Sequence, residues 1–162
     1  MLEIERQFLM SGFPTDLELL HEVEIEQGYV SIEPEVRIHR AMDKSTGENE
    51  FWLTLKSDGD ISRTELKTKI DETFYKETVK FIQVPMIKKD YKSYRFGAWM
   101  LETACVDADT PNAFYYGEIE FPTAEEAMAF EVPEFFGKEV TFDNSYKMKN
   151  YWKKTRLKIR ME

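Results

Sequence analysis

Apolar and polar residues alternate with a period of two along much of this chain, and that alternation limits what it can fold into. It runs through Leu2-Glu3-Ile4-Glu5, Val36-Arg37-Ile38-His39, Phe51-Trp52-Leu53-Thr54-Leu55-Lys56 and Gly117-Glu118-Ile119-Glu120-Phe121. Successive side chains of a β-strand point to opposite faces, so each run describes a strand with one apolar side; a helix, repeating every 3.6 residues, does not give this pattern. Turn-forming residues stand between the runs: Ser45-Thr46-Gly47, Ser57-Asp58-Gly59-Asp60, Arg95-Phe96-Gly97 and Asp109-Thr110-Pro111-Asn112. Hairpins are the consequence. Helical patterns are fewer, at residues 16–20, 71–81 and 123–130 and in a C-terminal segment starting near Asn144 or Ser145. Thr123 precedes Ala124-Glu125-Glu126-Ala127, a cap followed by acids in the first turn. Antiparallel hairpins with a few short helices predict the α+β class, as a barrel or a strongly curved sheet.

The 162 residues are 42% hydrophobic, enough for one real core, and no repeat, low-complexity tract or Pro/Gly/Ser-rich linker divides them. A single domain over residues 1–162 is expected. No run of about 18 apolar residues exists, and Glu3 and Glu5 stand where a signal peptide would carry basic residues. The expectation is a cytoplasmic protein. Cys105 is the only cysteine, which excludes an internal disulfide, and no Cys/His spacing resembles a zinc site. With 31 acids against 22 bases the net charge is −9, which disfavours nucleic acid and anionic membranes as partners. Positive charge concentrates in the last sixteen residues, at Lys147, Lys149, Lys153, Lys154, Arg156, Lys158 and Arg160, and reads as the solvated face of a C-terminal helix.

Residues two apart on a strand share a face. Glu3 pairs in this sense with Glu5, Arg37 with His39, Thr54 with Lys56, Arg63 with Glu65 and Lys67, and Glu118 with Glu120. On an ordinary sheet these polar faces meet water. The alternative is a barrel that turns them inward and covers its apolar outside with helices or a partner subunit, in which case the buried charges must compensate one another. The acidic pairs Glu3/Glu5 and Glu118/Glu120 suit hard divalent cations, and Arg37, Arg40, Lys56, Arg63 and Lys138 suit phosphoryl oxygens. A polyphosphate with Mg²⁺ or Mn²⁺ satisfies both signs at once.

These segments resemble the CYTH superfamily, the triphosphate tunnel metalloenzymes. Glu3-Ile4-Glu5-Arg6-Gln7 resembles the ExExK strand that opens its members, Val36-Arg37-Ile38-His39-Arg40 the arginine strand, Trp52-Leu53-Thr54-Leu55-Lys56-Ser57 the lysine strand and Arg63-Thr64-Glu65 the R-x-E strand. Tyr116-Gly117-Glu118-Ile119-Glu120-Phe121 resembles the second acidic strand, and Gly137-Lys138-Glu139-Val140-Thr141 the closing segment. The resemblance implies a closed antiparallel tunnel of about eight strands, with Glu3, Glu5, Glu118 and Glu120 serving Mg²⁺ or Mn²⁺ and Glu65 in support. It further implies that Arg37, His39, Lys56, Arg63, Lys89 and Lys138 bind a triphosphate, with Lys56 and Arg63 acting in catalysis.

The chain departs from the pattern where Gln7 stands in place of the ExExK lysine, His39 in place of an arginine, and Tyr91 in place of the arginine of a K-x-R element that begins at Lys89. Residues 101–105 fit poorly to the strand before the second acidic pair. Arg40 and Arg95 are candidates to make up the missing charge, although Arg40 has the wrong parity to join Arg37 without a bulge. The expected activity is metal-dependent hydrolysis of a triphosphate, inorganic triphosphate first and nucleoside or thiamine triphosphate next. The competing readings are a module of the same fold that binds polyphosphate without turnover, and a small barrel for apolar ligands, against which the repeated charge parity counts. Apolar outer faces would suit a homodimer.

Overall fold

The alternating runs become eight antiparallel strands in the computed structural model of the chain, which describes residues 2–157. They are β1 (Leu2–Met10), β2 (Glu18–Ser31), β3 (Glu35–Asp43), β4 (Asn49–Lys56), β5 (Ser62–Lys69), β6 (Ile87–Phe96), β7 (Trp99–Val106) and β8 (Phe114–Glu120). The sheet closes in the order β1-β5-β4-β3-β2-β6-β7-β8. β1 closes it by serving two neighbours: Leu2 to Ile4 pair with β5, and Glu5 to Met10 pair with β8. Closure removes exposed strand edges, and at eight strands the interior holds side chains or one small ligand.

α1 (Glu72–Ile82) follows β5 and starts at Asp71, whose carboxylate accepts from the Phe74 N–H. α2 (Ala124–Ala129) is capped by Thr123, which accepts from the Glu126 N–H. A 3₁₀ turn at Asn144–Tyr146 leads into α3 (Met148–Trp152), and one wider helical turn continues over Lys153–Leu157. The helix expected at residues 16–20 does not form. Glu18 instead opens β2, where Glu18 and Leu19 pair with Arg95 and Tyr94 and a bulge follows before His21. The ladder to β6 satisfies backbone groups that an isolated turn of helix would leave unpaired. Lys158 and Arg160 of the basic C-terminal run lie outside the described residues.

The apolar core packs against the outside of the barrel wall. Ile4, Phe8, Leu101 and Ile119 alternate with the inward-facing residues of β1, β7 and β8 and are buried with Ala127 of α2 and Phe136. Phe8 and Phe136 stack with ring centroids 4.6 Å apart. On the other flank Ile38, Ile87, Tyr75 of α1 and Trp152 of α3 form a second cluster. Gly28 allows this approach: a Cβ there would lie 2.5 Å from the Met86 sulfur and 3.1 Å from the Trp152 ring. Burying such faces supplies the main favourable term in folding, which leaves the polar strand faces pointing inward.

Two partly buried ion pairs fix the parts that the ladder does not. Arg6 donates to both Glu139 carboxylate oxygens, at 2.8 and 2.6 Å, and to the carbonyls of Ala127 and Phe130, tying α2 and the closing segment to β1. Arg156 donates to both oxygens of Asp107, at 2.6 and 3.0 Å, and to the Pro85 and Met86 carbonyls. The Tyr151 hydroxyl donates to the same carboxylate. The C-terminal segment is thereby held against one end of the barrel.

Candidate active site

The barrel encloses a charged cavity of about 350 Å³. From the strands come Glu3, Glu5, Glu35, Glu65, Glu102, Glu118 and Glu120, against Arg37, Lys56, Arg63, Lys67 and Lys89. Every charged or histidine member of the pairs and trio recognised by parity lines this interior, because closure of the sheet turns one face of every strand toward the axis; Thr54, the remaining member, is fully buried and does not line it. The three uncharged departures, Gln7, His39 and Tyr91, line it too.

At one end, register places Glu3 beside Arg63 and sets Lys56 between Glu35 and Glu65. The Lys56 ammonium lies 3.3 Å from Glu3 and 3.3 Å from Glu65, and its side chain is 7% exposed. The Arg63 guanidinium lies 3.8 Å from Glu3 and 3.6 Å from Glu35. Arg37 hydrogen-bonds Tyr29, but among the described residues its Nε has no partner, nor do Nδ1 of His39 and Nε2 of Gln27, all buried. Buried polar atoms are normally paired. These three belong to one wall, since Gln27 faces His39 and Tyr29 faces Arg37 across β2 and β3.

The other four strand carboxylates crowd the opposite wall. Gln7 and Glu102 are both register partners of Glu118, and Glu5 is the partner of Glu120. Burial, then repulsion from Glu118, pushes Glu5 up to about 8, and the two carboxyls share a hydrogen bond. Burial raises Glu118 as well, with Glu102 adding to it. Glu102 is raised by burial despite a hydrogen bond with Tyr91. Among the cations, burial followed by the Arg37 charge lowers Lys89 to about 7, and its ammonium donates to the Tyr116 hydroxyl at 2.7 Å. The same two causes bring His39 down to about 3, so it is neutral at physiological pH.

No protein-family model matches the sequence. An inorganic triphosphatase from Nitrosomonas europaea is 35% identical over 149 residues, 92% of this chain and 95% of that protein. This chain belongs to the CYTH superfamily. A solved inorganic triphosphatase superposes with a TM-score of 0.64 at 29% identity, over 92% of this chain and 93% of its own. A proposed adenylate cyclase from Bacillus halodurans matches with a TM-score of 0.50 at 14% identity, over 78% of this chain and 83% of its own, a likeness of fold alone.

Against this CYTH barrel, the residues singled out in sequence fall into two groups. Glu3, Glu5, Gln7, Arg37, His39, Lys56, Arg63, Glu65, Lys89, Glu118 and Glu120 line one cavity. Lys138 does not: its side chain is 69% exposed and lies 3.9 Å from Asp143. Its segment runs along β1 with Leu9 donating to the Lys138 carbonyl, and alternation sends Glu139 to Arg6 while Lys138 faces solvent. Arg40 pairs outside the cavity with Glu24 and Asn49, and Arg95 with Glu18 on the surface, so neither restores interior charge. Residues 101–105 do form the strand before the second acidic pair, and Glu102 is its inward acid. Glu35 was legible as well, two residues before Arg37 on the same face.

The basic C-terminal run is not a wholly solvated face. Lys147 and Lys149 line the cavity mouth, and Lys149 is buried.

Proposed function

We propose that this chain hydrolyses a triphosphate inside its barrel, inorganic triphosphate before nucleoside or thiamine triphosphate, with Mg²⁺ or Mn²⁺. The observation that carries the reading is the convergence of both signs on one barrel cavity: Arg37, Lys56, Arg63 and Lys89, with Glu3, Glu35 and Glu65 paired to Lys56 and Arg63, face the crowded acids Glu5, Glu102, Glu118 and Glu120 of β1, β7 and β8. The similarity to a triphosphatase over nearly the whole of both chains supports it.

Among the described residues no three His, Cys, Asp or Glu side chains are already gathered into a cage. The donor set nevertheless fits a hard divalent cation, because Glu5 and Glu118 are oxygen ligands held close against their mutual repulsion. Glu3, Glu5, Glu118 and Glu120 would hold it, and when bound it would polarise phosphoryl oxygen and activate water. Lys56 and Arg63 orient the chain of phosphates and neutralise charge as the terminal group departs, and the unpaired Arg37 Nε is a ready donor on the same wall. Exclusion of bulk water by the barrel strengthens each of these contacts.

The test is phosphate release from inorganic triphosphate, ATP and thiamine triphosphate with Mg²⁺ or Mn²⁺, with thermal-shift binding on the same samples. Release abolished by EDTA is the expected result and ranks the substrates. Stabilisation without release would favour the binding module that uncharged Gln7, His39 and Tyr91 suggest. The absence of both release and stabilisation would overturn the triphosphate reading.

A further inference from the structure

We propose that Lys147 and Lys149 are phosphate-binding residues of the tunnel, carried into its mouth by the C-terminal segment and held by Asp60 and Asp58 until substrate replaces those aspartates. The inference rests on the triphosphate reading above.

Both lysines reach the cavity from outside the barrel wall. Lys147 donates to the Gly59 carbonyl at 2.6 Å and lies 3.4 Å from Asp60, and Lys149 donates to Asp58 at 2.9 Å. The pairs are unequal. The lysine side chains are 17% and 11% exposed, whereas Asp60 is 48% and Asp58 is 90% exposed. A carboxylate in water is a weak, screened partner. The ammonium groups are thus fixed at the cavity while their counter-ions sit on an exposed turn, an arrangement in which a multiply charged anion displaces the aspartates.

The charge of the lining calls for such cations. The strands supply seven glutamates against five lysines and arginines, and Gln7, His39 and Tyr91 occupy inward positions without positive charge. A triphosphate adds further negative charge. Lys147 and Lys149 raise the lining cations to seven against eight carboxylates, Asp60 included, and stand at the end of Lys56 and Arg63. Their delivery is rigid: Trp152 of α3 packs on Gly28 and Tyr29, and Arg156 is clamped to Asp107. A lysine is a point charge with three donors, suited to the terminal oxygens of a phosphoryl group. The group bound at this mouth therefore presents bare phosphoryl oxygens, which favours a triphosphate with no organic substituent at that end.

The test compares Lys147→Met, Lys149→Met and Asp58→Asn with the parent, measuring kcat and KM for inorganic triphosphate with Mg²⁺ and the Tm shift that triphosphate induces. Each lysine variant is expected to raise KM roughly tenfold or more, the scale of one charge-assisted contact, and to shrink the induced shift. Asp58→Asn frees Lys149 and is expected to lower KM or enlarge the shift. A purely structural latch predicts that Asp58→Asn and Lys149→Met, which break the same ion pair, weaken the protein and its substrate binding alike; that result, or unchanged KM in both lysine variants, overturns the proposal. Asp58→Asn keeps the question decidable if a lysine variant does not fold. A parent chain that neither turns over nor binds triphosphate overturns this inference together with the reading beneath it, whereas an active parent with indifferent lysines overturns this inference alone.

Discussion

Glu5 and Glu118 share a hydrogen bond across the seam between β1 and β8, diagonal to the register that sets Glu5 opposite Glu120. Two buried carboxyls at this distance do not both ionise readily, and Glu5 is the one pushed up to about 8. Removing its charge relieves repulsion in the empty barrel and removes a metal ligand from the loaded one. Glu5→Gln is therefore expected to leave Tm in EDTA equal to or above the parent's, while metal-dependent phosphate release falls by about a hundredfold or more. Unfolding curves and release assays on the same preparations check it, and matched activities would sink the metal assignment of Glu5.

Gln7 lines the cavity opposite Glu118 in register. A lysine there gains a carboxylate neighbour and adds a cation within the tunnel. Gln7→Lys is expected to tighten triphosphate binding by about tenfold, the scale of a charge-assisted contact. Thermal shift against triphosphate concentration measures it, and an unchanged binding constant would place residue 7 outside the site.

Lys138 and Lys56 offer the sharpest contrast between sequence pattern and position. Lys138→Ala is expected to leave KM and kcat for inorganic triphosphate within about twofold, since its side chain stands in solvent beside Asp143. Lys56→Met is expected to lower kcat/KM by about a hundredfold or more, because it removes the cation set between Glu3 and Glu65. Comparable losses in the two variants would contradict this geometry.

Asp107 is held below the usual carboxylate range: burial works to raise it, and the Arg156 and Tyr151 hydrogen bonds outweigh burial. A depressed carboxylate stabilises the fold fully above its unfolded value of about 3.9 and loses that contribution as pH falls through the folded value. Asp107→Asn is expected to cost about 3 kcal/mol or more at pH 7, since it strands Arg156, and the gap between variant and parent should narrow below about pH 4. Urea midpoints at pH 7 and in acid measure both. A gap that widens in acid would reverse the sign and refute the assignment.

Much of the site was legible because strand parity is a local property. Once Glu3, Arg37, Lys56, Arg63 and Glu118 lie on alternating strands, residues an even number of positions away share their face, and Glu35 and Lys67 could be read by that rule, whereas Glu102 on β7 is set inward by its register with Glu118. What parity does not state is which face is inside. That was decided by closure of the barrel through β1 and by the burial of Ile4, Phe8, Ile38 and Ile119 under helices distant in sequence. The C-terminal run shows the limit most clearly. Lys138, Lys147 and Lys149 are all basic residues near one end of the chain, yet Lys138 lies in water while the other two line the cavity. Their fates depend on where Arg6 anchors the closing segment and where Asp107 clamps Arg156, contacts 133 and 49 residues apart in the chain. The alternating sequence by itself determined the strands and their two faces; long-range packing decided which face became the tunnel and which cations reach it, because the energy that chooses comes from surfaces that meet only when the chain has folded.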